Sequence, residues 1–271
     1  MKKQNFNLHT HTWRCGHATG PDYMYVEKAI EAGFLTIGFS EHIQYRADNG
    51  KYGRIDFEEF QYYFSDIRGL KKIYENRIEI LCGLEAAYVP EAMDDLLELS
   101  EYSDFVLLGQ HQGGLSEKKY CLKCDDNDVL QYAADIEAGL ETGLYAVIAH
   151  PDFFMSTRTS WSAECSEASE RICVAAKKHG IPLELSIKGS LSEKVRIDGT
   201  YASHYPYRRF WEIVAKNGNE VLYGWDAHRP NDLLYPTNEA DSIIAGLDIK
   251  WVDNSYIRKF KTRGGQQLQA R

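Results

Sequence analysis

Two histidines stand two apart near the start of the chain, in Asn5-Phe6-Asn7-Leu8-His9-Thr10-His11. On an extended strand both imidazoles point to one face, and imidazole nitrogen binds zinc, iron or manganese well. Alone, such a pair is either half of a metal site or two histidines at a strand end, and the later positions decide between them. His17 follows in Cys15-Gly16-His17, then Glu41-His42, Glu85 in Cys82-Gly83-Leu84-Glu85 and His111 in Gly109-Gln110-His111. His150 stands in Ala149-His150-Pro151-Asp152, and Asp226 and His228 close Gly224-Trp225-Asp226-Ala227-His228. Seven of the nine histidines thus fall at or just past the end of a short apolar run. Gathered on one rim, they carry a heavy desolvation cost unless something holds their lone pairs, and metal ions do this. The other two have ordinary settings: His179 in the last turn of a helix, where a cation suits the dipole, and His204 in a polar loop.

The apolar runs that carry these residues read as strands over Asn5 to His9, Leu35 to Ser40, Ile78 to Leu84, Phe105 to Gly109, Ala146 to Ala149, Ile181 to Ser186 and Glu220 to Gly224. Helical segments alternate with them. Pro21 to Ala32 opens on proline and stops at Gly33, while Phe57, Phe60, Phe64, Ile67 and Tyr74 keep one helical face apolar. Val129, Ala133, Ile136 and Leu140 do the same before Gly143, the segment from Glu164 ends at His179-Gly180, and Tyr207 to Lys216 ends at Asn217-Gly218. Seven strand-helix units imply a parallel α/β sheet, and a closed TIM-like barrel suits that count better than an open, doubly wound sheet. Long stretches follow several strands, at Ile43 to Asp56, Gln112 to Asp126, Phe153 to Ser160 and Ile187 to Tyr205, so a pocket is expected at the C-terminal end of the barrel. Residues 1–261 read as one domain, with a flexible tail over 262–271 around Gly264-Gly265.

Composition narrows the function. A net charge of −9 with no large basic run argues against nucleic acid as a partner. Met1-Lys2-Lys3-Gln4 lacks an apolar stretch behind it and no run reaches membrane-spanning length, so no membrane association is expected. Six cysteines are too few for a disulfide scaffold, which makes a reducing cytoplasm the expected location; Cys121 and Cys124 read as two free thiols.

In order along the chain, the His-x-His, Gly38-Phe39-Ser40-Glu41-His42, Gly83-Leu84-Glu85, His111, His150-Pro151-Asp152 and Asp226-Ala227-His228 resemble the PHP (polymerase and histidinol phosphatase) family. Tyr88, the length and Tyr205-Pro206 are similar to its stand-alone histidinol-phosphatase type. The resemblance implies a distorted TIM-like (β/α)7 barrel, the PHP fold, holding three divalent metal ions (zinc, iron or manganese). It assigns His9, His11, Glu85 and Asp226 to the first ion, Glu85, His111 and His150 to the second, and His17, His42 and His228 to the third. Glu85 has two oxygens and can bridge two ions; Glu41 is either an acceptor orienting a ligand or an occasional ligand.

The reaction so implied is phosphomonoester hydrolysis, in which a hydroxide bridging the first two ions attacks phosphorus and the third ion neutralises phosphate charge. L-Histidinol phosphate is the expected substrate, another small phosphorylated metabolite or nucleotide the alternative, and a metal-binding module without turnover a third reading. Glu85, Asp226 and His228 are the candidate catalytic residues. Arg158, Arg196 and Arg229 are the candidates to grip phosphate, since guanidinium matches its geometry. The chain departs from the family pattern at Ser186-Ile187-Lys188-Gly189-Ser190-Leu191, at Gln110 and Gln112, and at Trp225, which bears on the substrate and not on the metal set. An amidohydrolase barrel also opens with His-x-His, but the third strand offers Glu85 where that family would want a lysine.

Overall fold

Leu81, Gly83 and Glu85 alternate with Cys82 and Leu84, and this period of two decides which side chains enter the centre of the molecule. The structure, a computed structural model, describes residues 4–48, 54–115, 120 and 122–260. Its first half runs β1 (Phe6–Asn7), α1 (Asp22–Ala32), β2 (Thr36–His42), α2 (Phe60–Ile73), β3 (Glu79–Ala86), α3 (Met93–Ser100), β4 (Phe105–Leu108) and α4 (Asp126–Glu141). It continues β5 (Val147–Ile148), α5 (Ala163–His179), β6 (Leu183–Ser186), α6 (Ile187–Ser190), β7 (Val195–Ile197) and β8 (Thr200–Ala202). The chain ends α7 (Arg208–Asn217), β9 (Glu220–Gly224), α8 (Asn238–Ile243) and β10 (Lys250–Trp251). No helix among the described residues is long and apolar enough to cross a membrane.

All seven expected strands form, and every pairing among them is parallel, in the order β1-β2-β3-β4-β5-β6-β9. An eighth strand, β10, extends the sheet by pairing Lys250 with Glu220 and Trp251 with Val221. It had no signal in the sequence because charged residues interrupt the apolar ones in Asp248-Ile249-Lys250-Trp251-Val252-Asp253. β10 occupies the start of β9, so β1 meets β9 only beyond it, where Thr10 bridges Ala227 and His11 N–H donates to the Ala227 carbonyl at 2.9 Å. Below that bridge the Gln4 side chain substitutes for a strand, donating to the Tyr223 carbonyl at 2.8 Å and accepting from its N–H at 2.9 Å. The barrel is thus closed at its mouth and wedged apart at its base, which is the distortion. The antiparallel hairpin of β7 and β8 lies within the long stretch after β6, outside the barrel. Like α3 and α8, it is too short to show a pattern in the sequence. The tail expected over 262–271 lies outside the described residues.

Two apolar layers hold this frame. The larger lies between helices and sheet; the smaller fills the barrel with Phe6, Leu8, Leu81, Phe105, Leu107, Val147 and Leu222, closed from below by Tyr256, Ile257 and Phe260. Phe105 spans the interior so closely that a Cβ on Gly38 or Gly83 would stand 2.7 or 2.4 Å from its ring, which explains glycine at both positions. Phe105 is therefore the floor on which the mouth residues rest. Phe105→Ala is expected to destabilise the protein by about 3–5 kcal/mol, read as a lowered denaturant midpoint at unchanged slope.

Candidate metal centre

The inward faces of the strands rise from that floor to the mouth. On β3 the series Leu81, Gly83, Glu85 brings a carboxylate up, and beyond β9 the series Leu222, Gly224, Asp226 brings a second. On β2, Gly38 and Ser40 lead to His42. β1 behaves differently: Phe6 and Leu8 face the interior, yet His9 and His11 reach the mouth, so the alternation shifts phase between Leu8 and His9. Asn7 makes the shift. Its buried amide accepts from His9 N–H at 3.2 Å and Trp225 N–H at 3.1 Å, and donates to the His9 carbonyl at 3.0 Å and Thr10 Oγ1 at 2.8 Å. His150 and Asp226 have φ of +30° and +45°, left-handed values that cost a side chain about 1–3 kcal/mol each. Both residues stand just past a strand, where such a turn takes the chain out of the sheet.

Glu85 is the centre of the cluster. Its Oε1 lies 2.9 Å from His150 Nε2 and 3.6 Å from His111 Nε2. Its Oε2 lies 2.8 Å from His42 Nδ1 and 3.4 Å from both His9 Nε2 and His11 Nε2. Asp226 Oδ1 closes the second set at 3.5 Å from His9 Nε2 and 3.2 Å from His11 Nε2. At the outer edge His228 Nε2 stands 2.8 Å from His17 Nε2. All nine residues expected as ligands therefore converge, and several triads among them, such as His9-His11-Asp226, His9-Glu85-His150 and His42-Glu85-His111, have donor atoms within 4.8 Å of one another.

Whether a cation fits can be judged from the protons. His9 Nδ1 faces Glu184 Oε2 at 2.8 Å and His11 Nδ1 faces Glu41 Oε1 at 3.4 Å, so carboxylates take both δ protons. While both rings are neutral, the ε nitrogens, 3.1 Å apart, present lone pairs to each other. Glu85 Oε2 is buried with no hydrogen-bond partner although nitrogens surround it. Acceptors facing acceptors in a buried space call for a positive charge between them, and the second ring of carboxylates is the arrangement that orients metal-bound imidazoles.

The electrostatics agree. Burial alone would raise Glu85, but His42, His9 and His111 hold its carboxyl well below the usual range. Burial likewise opposes Asp226, and Lys188, His9 and His228 hold it well below. Burial and the nearby His11 bring His42 down to about 4 and His228 to about 2, so both imidazoles are neutral and free to donate lone pairs. His9 and His11 are the opposite case: burial lowers both, yet Glu184, Glu85 and Asp226 carry His9 well above its ordinary value and Asp226 and Glu41 raise His11, a field that favours a positive charge between the two rings.

Of the three arginines expected to grip phosphate, Arg158 and Arg196 are engaged by local groups. Arg158 is tied into its own loop, donating to the Cys124 carbonyl at 2.8 Å, Asp126 Oδ1 at 2.5 Å and Ser162 Oγ at 3.3 Å. Arg196 lies over the Tyr201 ring on the exposed hairpin, 5.1 Å from its centroid, and Arg229 is exposed, with its backbone N–H on Asp232. Local carboxylates, carbonyls and rings claim a flexible cation before the mouth can. Among the described residues, Lys188 stands at the mouth, with Nζ 3.1 Å from Asp226 Oδ2 and 3.0 Å from His228 Nδ1, and Arg54 is near enough to His111 to act on it. Glu184 was the other omission, and a signal existed: it is a carboxylate inside the apolar run Leu183-Glu184-Leu185-Ser186, where only a buried partner explains it. Glu41 Oε2 accepts from Thr12 N–H at 2.9 Å and its Oε1 faces His11 Nδ1 at 3.4 Å. Of the Cys-x-x-Cys, Cys124 is buried and free, and Cys121 lies outside the described residues. Glu184→Ala is expected to weaken zinc binding about 10–100-fold, measured by competition with a chelator.

Residues 7–188 match the PHP domain family. Among curated proteins, a histidinol-phosphatase of Bacillus subtilis is 28% identical over 84% of this chain and 94% of its own. A Schizosaccharomyces pombe protein named "Probable histidinol-phosphatase" is 31% identical over 83% of this chain and 81% of its own. The fold is shared with the crystal structure of the Lactococcus lactis histidinol phosphate phosphatase complexed with zinc, L-histidinol and phosphate, at a TM-score of 0.68 and 17% identity, covering 92% of this chain and 95% of the other. With its ligand-type residues in sequence order, brought to one barrel mouth and matched over most of its length, this chain belongs to the PHP domain family.

Proposed function

We propose that this protein is a metal-dependent phosphomonoester hydrolase that converts L-histidinol phosphate and water to L-histidinol and phosphate. The observation that carries this reading is the division of Glu85 between two sets of imidazoles, His150 and His111 on one oxygen and His9, His11 and His42 on the other. A carboxylate so placed is suited to hold two cations side by side. His9, His11, Glu85 and Asp226 would hold one ion, Glu85, His111 and His150 a second, and His17, His42 and His228 a third. His42 lies between the second and third groups, its ligand atoms near those of Glu85 and His111 as well as those of His11 and His228. The relatives named for histidinol phosphate and the zinc of the Lactococcus lactis protein support the assignment.

Bound divalent ions would supply Lewis acidity and bring the pKa of a water toward about 7. The protein's own residues do the rest. Glu184 and Glu41 hold the His9 and His11 rings in register with Glu85 and Asp226. Lys188, in place of Arg158, Arg196 and Arg229, meets the phosphate, since its half-exposed ammonium stands at the mouth. As water adds to phosphorus and the ester P–O bond breaks, the attacking water gives up its proton to solvent and the leaving oxygen takes one from the Lys188 ammonium, held in place by the ionised Asp226 and re-protonated from solvent. His228, neutral in its buried setting, serves as a ligand and not as that acid. The location that fits is the cytoplasm, in the biosynthesis of histidine, and the free buried cysteines are in keeping with a reducing compartment.

Chelation with EDTA is expected to abolish hydrolysis of L-histidinol phosphate and added zinc or manganese to restore it; hydrolysis that persists in fully metal-free protein overturns the proposal. Lys188→Ala is expected to raise KM more than it lowers kcat, while Arg158→Ala leaves both near their original values and lowers thermal stability. The lysine at the mouth is also the reason to assay other small phosphorylated metabolites and nucleotides alongside, and a higher kcat/KM on one of them identifies the second reading as the right one.

A further inference from the structure

We infer that Cys15 is a metal ligand: its sulfur joins His17 and His228 around the third ion, giving that position a soft donor and a preference for zinc over manganese. The inference rests on the metal-centred reading above and adds a residue to it.

A buried cysteine is most often a small apolar side chain, and four others in this protein are just that. Cys82, Cys124, Cys165 and Cys173 all belong to the apolar layer between helices and sheet. Cys15 is equally buried, at 1% exposure, yet it belongs to neither apolar cluster. Its sulfur faces imidazoles instead. Cys15 Sγ lies 4.0 Å from His17 Nε2, and the ligand atoms of Cys15, His17 and His228 all fall within 4.8 Å of one another. A tetrahedral zinc with Zn–S near 2.3 Å and Zn–N near 2.0–2.1 Å sets sulfur and nitrogen roughly 3.5 Å apart, so only a small adjustment separates the two arrangements.

The backbone is arranged around the same point. Thr12 accepts from Cys15 N–H at 3.2 Å, and Gly16 follows with a φ of +79°, a left-handed turn that brings Cys15 and His17 to one side. His17 Nδ1 faces the Cys15 carbonyl at 3.1 Å, which holds its proton there and leaves the Nε2 lone pair toward His228. Ala18 N–H donates to Cys15 Sγ at 3.3 Å, a bond that an anionic sulfur accepts more strongly than a thiol does. A bound cation displaces the thiol proton, which leaves to solvent as the sulfur–metal bond forms. Thiolate is a soft donor and manganese(II) a hard acceptor, so the sulfur shifts this position toward zinc.

The test is cobalt(II) titration of the full-length, metal-stripped protein, followed in the near ultraviolet where thiolate-to-cobalt charge transfer absorbs, beside Cys15→Ser. The expected result is a band in the unsubstituted protein that is lost in C15S, with zinc affinity at one ion reduced at least about 10-fold. Cobalt bound without the band, or a band that C15S retains, overturns the inference and leaves the metal-centred reading standing; a protein that binds no metal at all overturns both. If C15S fails to fold, X-ray absorption at the zinc edge of the unsubstituted protein decides: a sulfur neighbour at about 2.3 Å upholds the inference, and nitrogen and oxygen alone overturn it.

Discussion

A single carboxylate, Glu85, stands almost fully buried among five imidazoles, and the fold is built to tolerate it. An ionised carboxyl in such a place is costly unless charge and hydrogen bonds compensate. The strands make physical room for the charged groups in the same way twice. A Cβ on Gly109 would lie 2.1 Å from Glu85 Oε1, and one on Gly224 would lie 2.1 Å from Glu184 Oε2, so each glycine is the gap a neighbouring carboxylate fills. Loss of either gap would displace the Glu85 or the Glu184 carboxylate.

The surrounding charges form a graded series from the barrel axis outward. Glu85 and Asp226 face the imidazoles directly, Glu184 and Glu41 stand behind His9 and His11, and Lys188 tops the mouth against Asp226. Each layer bears on the protonation of the one inside it: against their burial, Glu184 and Glu41 raise His9 and His11, and Lys188 helps hold Asp226 ionised. Among the described residues, four carboxylates and one ammonium gather at this mouth, so an anionic phosphate would be drawn to it only with cations bound there. Backbone strain is stored at the same place, at His150 and Asp226, where the surrounding sheet is stiff enough to hold left-handed residues.

The regular part of the architecture was legible because it rests on local periodicity. β2, β3, β4 and β9 are runs whose alternation and flanking glycines declare them, and the helices α1, α5 and α7 stop at Gly33, Gly180 and Gly218 in left-handed conformations. β10, the β7–β8 hairpin and α8 could not be read, since polar and charged residues interrupt each of them and their order comes from what they pack on. The shift of alternation at Asn7 was also hidden. His-x-His placed both imidazoles on one face, but which face depended on an amide that reaches Trp225, 218 positions away.

For the centre itself, the identity and order of the metal-type residues were contained in the sequence, since histidines and acids at the ends of apolar strands have no cheap structural use and a parallel barrel sends all strand ends to one side. The destinations of the long, flexible cations were not. Arg158 was captured by the Cys124 carbonyl and Asp126, whereas Lys188 came to rest against Asp226, and nothing in the spacing distinguishes those outcomes. Strand register is determined by short-range alternation, which a linear string records; the partner of a mobile charge is determined by competition among acceptors that meet only once the chain has folded.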